Sequence, residues 1–141
     1  HCHAEYKRKG NLIMNLNNDC IRDILLSLEE ICTFNTTFYY DRDESVPSRL
    51  SKYSDEEIVY HIRQCALANL ILDVHFYPDS TIDIADLSPS GHEYLANIRS
   101  DNIWNKTKKV ASEIGATSLS AMVQISSEII MAIIKSQFGL T

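Results

Sequence analysis

The fold is decided by the stretch LILDVHFYPDSTIDIADL, from Leu70 to Leu87, which predicts a β-hairpin. Apolar and polar residues alternate on both sides of the turn Pro78–Ser80, as they do in strands with one buried face. The residues that we expect to face the core are Leu72, Val74, Phe76, Ile82 and Ile84. The sequence on either side of the hairpin then indicates which fold it belongs to.

A helix and a short strand are predicted at the start of the chain. The helix covers about residues 19–32, has apolar residues at helical spacing, and takes Asn18 or Asp19 as its N-cap. The β-branched and aromatic run Thr36–Tyr40 predicts the strand. The polar stretch Asp41–Lys52 has room for about one helical turn.

A second helix is predicted immediately before the hairpin, over about residues 54–68. Ser54 and Glu57 form a capping box, in which each side chain is expected to bond the backbone amide of the other residue. Asn69 then closes the helix, because asparagine tolerates a positive φ better than most residues.

Three more helices are predicted after the hairpin. Ser88 as N-cap and Pro89 in the first helical position begin one of them, and the others cover about residues 101–115 and 118–138. The order helix, strand, short turn, helix, hairpin is that of a winged helix, in which the hairpin is the wing. We therefore predict an α+β fold, mainly α with a small antiparallel β-hairpin: a winged-helix-like core plus C-terminal helices.

The length of 141 residues and the 45% hydrophobic content predict one domain, or one domain with an appendage. We expect residues 1–13 to be an N-terminal extension or an artificial tail, with Met14 as the natural start. Residues 14–99 would form the winged-helix-like domain, and 100–141 a C-terminal helical pair able to act as a dimerisation element. The net charge is −6, and without residues 1–13 ten basic residues face eighteen acidic ones. An acidic domain repels the phosphate backbone, so DNA binding would need a local basic patch.

The cysteines and the absence of a signal peptide predict a cytoplasmic protein with reduced thiols. Cys20 and Cys32 lie at opposite ends of one predicted helix, too far apart to bridge each other, and Cys65 lies on an apolar helix face. No stretch approaches eighteen consecutive apolar residues, so we expect no contact with a membrane.

Three segments carry a resemblance to a known family. They are NDCIRDILL (Asn18–Leu26), YSDEEIVYHI (Tyr53–Ile62), and LSPSGHEYLANIR (Leu87–Arg99) followed by WNKT (Trp104–Thr107). Together they resemble a family of bacterial and prophage proteins known only as a domain of unknown function, over nearly the whole chain from Met14. The resemblance implies a phage or mobile-element context and a winged-helix-like front, and it implies no catalytic residues.

Two kinds of binding surface follow from this fold. As a DNA reader, the second helix would enter the major groove, and the candidate contacts for DNA or a partner are Arg49, Lys52, Tyr60, Arg63 and Gln64. Two features argue against DNA binding. The start of that helix carries three acidic residues in a row, Asp55–Glu57, and the wing tip, Pro78–Ser80, carries no arginine or lysine. The alternative is an acidic surface that binds a basic protein, for example by occupying that protein's nucleic-acid site.

No motif predicts catalysis, a metal or a cofactor. His61 and Cys65 are four residues apart on a helix, a spacing that can share a metal, but no third ligand joins them. The chain has no nucleophile elbow, no glycine-rich phosphate loop and no HExxH. We therefore expect no enzymatic activity, although a small hydrolase or metal enzyme with a novel site stays open.

The last helix has an apolar stripe that covers more than half its circumference, wider than one small domain usually buries. It could pack both on the first helix and on its own copy in a homodimer, or it could be threaded through the core. The candidate dimerisation residues are Met122, Ile125, Ile129 and Ile133. The hypothesis is a phage- or prophage-associated, non-enzymatic winged-helix module that acts as a regulatory factor and binds double-stranded DNA or a basic protein. The alternative is an acidic adaptor or inhibitor that binds a nucleic-acid-binding protein of the host or phage and binds no DNA itself.

Overall fold

The computed structural model describes residues 14–139 and confirms an α+β fold, mainly helical with a small antiparallel sheet. The predicted N-terminal extension, residues 1–13, lies outside the described residues. In chain order the elements are α1 (Asn18–Ile31), β1 (Phe38–Tyr40), a 3-10 helix (Ser48–Leu50), α2 (Asp55–Leu67), β2 (Ile71–Phe76), β3 (Ile82–Leu87), α3 (Pro89–Ile98), α4 (Asp101–Ile114) and α5 (Leu119–Gln137).

The three strands form one antiparallel sheet in the order β1-β3-β2, which confirms both the predicted hairpin and the predicted short strand. Ile84 in the central strand lies opposite Phe38 on one side and Val74 on the other. Phe38, Ile82 and Ile84 are buried, so one face of the sheet contributes to the core. The strand β2 is left at the edge of the sheet.

The prediction for the apolar residues of β2 is wrong. Leu72 is 42% exposed and Phe76 is 41% exposed, and Val74 is only half-buried. The physical reason is that α2 is the main element packed on β2 besides the neighbouring strand β3, so parts of these side chains stay open to solvent. Ile71, at the start of β2, is the buried residue instead. Between Ile71 and Val74, Asp73 has a positive φ of 50°.

The N-cap of α1 is Asn17, not Asn18 or Asp19 as predicted. Asn17 has extended backbone angles, and its side-chain oxygen accepts from the amides of Asp19 and Cys20 at 3.0 and 3.2 Å. Its backbone amide donates to Nε2 of His61 at 2.8 Å. The beginning of α1 is therefore attached to the middle of α2.

Half of the predicted capping box of α2 is present. The Ser54 hydroxyl accepts from the amide of Glu57 at 3.1 Å. The Glu57 carboxylate, however, accepts from the side-chain amide of Asn17 at 3.2 Å, because the start of α1 lies within its reach. At the other end of α2, Asn69 has a φ of 60°, which confirms the predicted left-handed closing residue.

The core is one cluster that extends from α1 through the sheet to the C-terminal helices. α1 packs against α2, α3 and β3, and the cluster also includes Trp104, Ala111 and Met122. The core therefore crosses residue 99, and the division there into two domains stays a prediction.

The helix α5 differs from the others because most of it lies outside this core. Of its 19 residues only Met122 and Ser126 are buried. Met122, at 1% exposure, is thus a core residue and not a surface residue that a second copy could contact; Ile125, Ile129 and Ile133 are half-buried. By length and composition alone, α5 is also long and apolar enough to cross a membrane, with a mean hydropathy of 1.3.

Candidate functional site

A cavity of about 430 Å³ lies where α2 meets the β-hairpin. We call it the α2–hairpin site. Its helix wall includes Val59, Tyr60 and Arg63, and its hairpin wall includes Phe76 and Tyr77. Helical spacing places Arg63 one turn after Val59 and Tyr60 on α2. The two aromatic rings of the hairpin are only partly covered, with Phe76 41% and Tyr77 45% exposed.

The centre of this site is a contact between a cation and an aromatic ring. The guanidinium carbon of Arg63 lies 5.1 Å from the centroid of the Phe76 ring, within the range of a cation–π interaction. Arg63 is exposed, and among residues 14–139 no carboxylate lies within ion-pair distance of it. Arg63 thus keeps its donors available for a ligand.

The aromatic residues around Arg63 present large apolar surfaces to solvent. Phe76 is 41% exposed and Tyr77 is 45% exposed. The Tyr77 ring stacks on His75, with ring centroids 6.3 Å apart, and the half-buried Tyr60 meets the edge of His61 at 5.1 Å. Aromatic residues and arginine in a concave site are the residues that contribute most to protein–protein binding energy.

The rim of the site is acidic. Asp55 and Glu56, in the first turn of α2, line the cavity. Asp55 accepts from the hydroxyl of Tyr40 at 2.6 Å and pairs with Arg42 at 3.3 Å. Burial, reinforced by the Asp55 carboxylate, raises the pKa of Tyr40, so its hydroxyl remains a donor. Glu56 is exposed and has no such partner in the described part of the chain, so its charge is available to a ligand.

The structure separates the five predicted contact residues. Tyr60 and Arg63 line the α2–hairpin site, and the half-buried Gln64 does not. Arg49 pairs with Glu30 at 2.7 Å, a hydrogen bond that raises the pKa of the guanidinium, and Lys52 pairs with Asp23 at 3.2 Å. The charges of Arg49 and Lys52 are thus already neutralised by acids of α1.

Phe76 and Tyr77 belong to the site although the sequence does not single them out. The alternation of Phe76 with polar neighbours predicts a core position instead. Which elements cover a strand depends on the tertiary structure, and the periodicity of one hairpin does not encode it.

Cys20, Cys65 and His61 are buried in the fold, and their surroundings limit their reactivity. Burial raises the pKa of the Cys20 thiol to about 12, and it raises that of Cys65 further, so both are poor nucleophiles at neutral pH. His61 is fully buried, with Nε2 accepting from Asn17 and Nδ1 bonded to the carbonyl of Glu57 at 2.7 Å. Within residues 14–139, no group of three or more His, Cys, Asp or Glu residues is arranged to hold a metal ion.

Comparisons with known proteins assign the chain to a family. Residues 15–118 match the profile of a family described as "Hypothetical protein (DUF2513)". A protein of Haemophilus influenzae, described as an uncharacterized protein, is 31% identical over 120 residues, which cover 83% of this chain and 96% of that protein. No solved structure matches the chain. As the resemblance predicted, the chain belongs to this family of uncharacterised bacterial proteins, DUF2513.

Proposed function

We propose that this protein is a non-enzymatic binding module whose α2–hairpin site binds a basic segment of another protein. The observation that carries the proposal is the exposed cluster of Arg63, Phe76 and Tyr77, placed behind an acidic rim. The aromatic rings supply apolar contact area with few rotatable bonds, and Glu56 supplies an unpaired negative charge. A basic segment matches these features when its apolar side chains cover the rings, a basic side chain faces Glu56, and a backbone carbonyl accepts from Arg63.

The distribution of charge supports a protein partner over duplex DNA. Of the ten basic residues in the described part of the chain, seven lie within 4.0 Å of a carboxylate oxygen. The three others are Arg63, Lys106 and Lys135. DNA binding depends on several lysine or arginine side chains on one surface that are not already paired with carboxylates. Each contact of such a side chain with a phosphate adds affinity by releasing counterions. The acidic rim would also repel the phosphates.

The architecture supports the second candidate, a DNA-binding regulator. If the fold is a winged helix, as the element order predicts, α2 would be its reader helix and the hairpin its wing. Tyr60 and Arg63, which line the site between α2 and the hairpin, would then face the DNA. The α2–hairpin site would then face the major groove of DNA with one basic side chain that has no ion-pair partner among residues 14–139, Arg63. For either candidate, a cytoplasmic location and a phage or prophage context are what the sequence resemblance and the reduced thiols favour.

Fluorescence anisotropy with two labelled probes separates the candidates. One probe is a peptide of alternating lysine and leucine, and the other is a random-sequence DNA duplex, both titrated at low and moderate salt. We expect the peptide to bind and the duplex not to bind. Phe76→Ala and Glu56→Gln should each weaken peptide binding by about tenfold, the loss of one anchor or one charge contact. Phe34→Ala is the matched control, because Phe34 is also an exposed aromatic residue but does not line the α2–hairpin site.

Two results would count against the protein-binding proposal. One is a peptide affinity that Phe76→Ala and Phe34→Ala lower equally, which would mean that the peptide does not use this site. The other is duplex binding that weakens steeply with salt and disappears when Arg49, Lys52 and Arg63 are replaced together by glutamate. That second result would establish the DNA-binding candidate instead.

A further inference from the structure

The C-terminal half of α5 presents an apolar surface that nothing in the described part of the chain covers. Met131 is 46% exposed, Ile134 is 41% exposed and Phe138 is 75% exposed. No residue of α5 after Ser126 is buried. Several large apolar side chains on one short segment indicate a surface that another molecule covers.

This surface continues into a groove between α4 and α5. The groove has a volume of about 480 Å³, and its walls include Val110 and Ile114 of α4 and Ile125 and Ala132 of α5. Ile114 is itself 64% exposed. At about 100° per residue, the apolar groove residues of α5 lie on one side of Glu128 and Lys135, and Met131, Ile134 and Phe138 lie on the other side.

Two opposite charges lie within this surface. Glu128 and Lys135 are seven residues apart, close to two helical turns, so they lie on the same face of α5. Glu128 lines the groove, and both residues avoid the buried stripe of Met122 and Ser126. Neither has an ion-pair partner within 4.0 Å among residues 14–139.

We propose that a second copy of this chain covers the surface, with the two α5 helices antiparallel and related by a twofold axis between Met131 and Ala132. In that arrangement Glu128 of each copy lies level with Lys135 of the other, so two ion pairs form. Ile125 and Phe138 of the second copy lie at the same level along the helix axis, so apolar residues lie beyond the ion pairs at both ends of the contact. A parallel pair would place Glu128 against Glu128 and Lys135 against Lys135, which is repulsive.

A second copy fits this surface better than a lipid bilayer does. The N-terminal half of α5 packs on the core, with Leu119, Met122 and Val123 in or against it. A helix that spans the hydrocarbon region needs about 20 residues, so α5 could span a bilayer only if this half left the core. This dimer does not depend on what the α2–hairpin site binds.

Charge exchange tests the proposal by sedimentation velocity over a concentration series. The wild-type chain should be a dimer, and Glu128→Lys and Lys135→Glu should each raise the dimer dissociation constant by about tenfold or more, because each variant replaces two attractive contacts by two repulsive ones. The double variant, with both substitutions, should recover the dimer. An equimolar mixture of the two single variants should form a heterodimer, because all its contacts are again between opposite charges.

Each outcome supports or overturns the antiparallel dimer. A wild-type chain that stays monomeric at the highest concentration overturns it. Single variants that dimerise as well as wild type indicate a parallel pair or another surface. Flotation of the wild-type chain with phosphatidylcholine vesicles, abolished by Phe138→Ser, would assign the surface to a membrane instead. Both charged residues are exposed, so Trp104 fluorescence should confirm that the variants fold.

Discussion

The helices α1 and α5 are both rich in apolar residues, yet they lie in opposite surroundings. Eight of the 14 residues of α1 are buried, and they include Cys20, Ile21, Ile24, Leu25 and Leu28. Only two of the 19 residues of α5 are buried. α1 packs mainly on α2, α3, the 3-10 helix and β3, whereas α5 packs mainly on α3 and α4.

The difference teaches that an apolar pattern predicts a helix and does not predict what covers it. Leucine and isoleucine at helical spacing favour the same local structure in both segments. What buries α1 is the set of elements that surround it, and these come from distant parts of the sequence. The uncovered face of α5 is thus a property of the tertiary structure and invites a partner.

The largest expected effect on stability comes from truncating one large aliphatic side chain in α1, compared with the same truncation in α5. Leu25→Ala in α1 should lower the free energy of unfolding by about 2–5 kcal/mol, because the side chain is fully buried and would leave a cavity. Ile134→Ala in α5 should change it by less than about 0.5 kcal/mol, because Ile134 is 41% exposed. Urea denaturation at low protein concentration measures both values for the monomer. Equal losses in the two variants would contradict the comparison.

A smaller effect is expected where the hairpin joins α3. A Cβ at Gly91 would lie 2.0 Å from the carbonyl oxygen of Leu70, which is backbone and cannot move as a side chain can. That oxygen also accepts from the amide of Ser88 at 3.0 Å, so a shift would disturb the cap of α3. Gly91→Ala should therefore cost about 1–3 kcal/mol, measured by thermal denaturation.

The neighbouring Ser90 provides the control for this prediction. Ser90 is exposed, so Ser90→Ala should leave the melting temperature nearly unchanged. If Gly91→Ala melts together with Ser90→Ala, the close packing of α3 on the hairpin is not important for stability. The packing of α3 on the hairpin would then contribute as little to the stability of the fold as the uncovered face of α5 does.

Much of the fold could be predicted from the sequence, because its signals are local. The hairpin, its turn, the cap at Ser88 and the closing residue Asn69 each depend on residues adjacent in the chain. The predicted N-cap of α1 lies one or two residues after the observed cap, because Asn17, Asn18 and Asp19 are all good caps. Nothing local showed that Asn17 also bonds His61, which is 44 residues away.

The candidate site was harder to predict, because it depends on which residues the fold leaves uncovered. Tyr60 and Arg63 were predicted as an outward face of α2, and they do line the α2–hairpin site. Phe76 was assigned to the core, because an edge strand and a central strand can have the same alternation. The sequence predicts Arg49 and Lys52 as basic side chains available to a ligand. Only the tertiary structure brings the carboxylates of Glu30 and Asp23 to them.

The smallest expected effect concerns the acids at the end of α1. Hydrogen bonds from Arg99 and Arg49 lower the pKa values of Glu29 and Glu30 below their ordinary value of 4.5. Because the folded-state pKa values are lowered, these pairs stabilise the fold above pH 4.5 and lose that contribution as the pH falls through the folded values. The pairs are partly exposed, so each should contribute less than about 1 kcal/mol.

The acid-dependent part of this stability should disappear when both acids are replaced. The variant Glu29→Gln with Glu30→Gln should be less stable than wild type near neutral pH and should lose less stability on acidification, as measured by urea denaturation. Glu128→Gln on α5 should follow the wild-type pH profile at protein concentrations where the chain is monomeric, since Glu128 has no ion-pair partner among residues 14–139. If Glu128→Gln instead flattens the profile while the double variant does not, the charges of α5 are paired within one copy. The proposed ion pairs between two copies would then lose their basis.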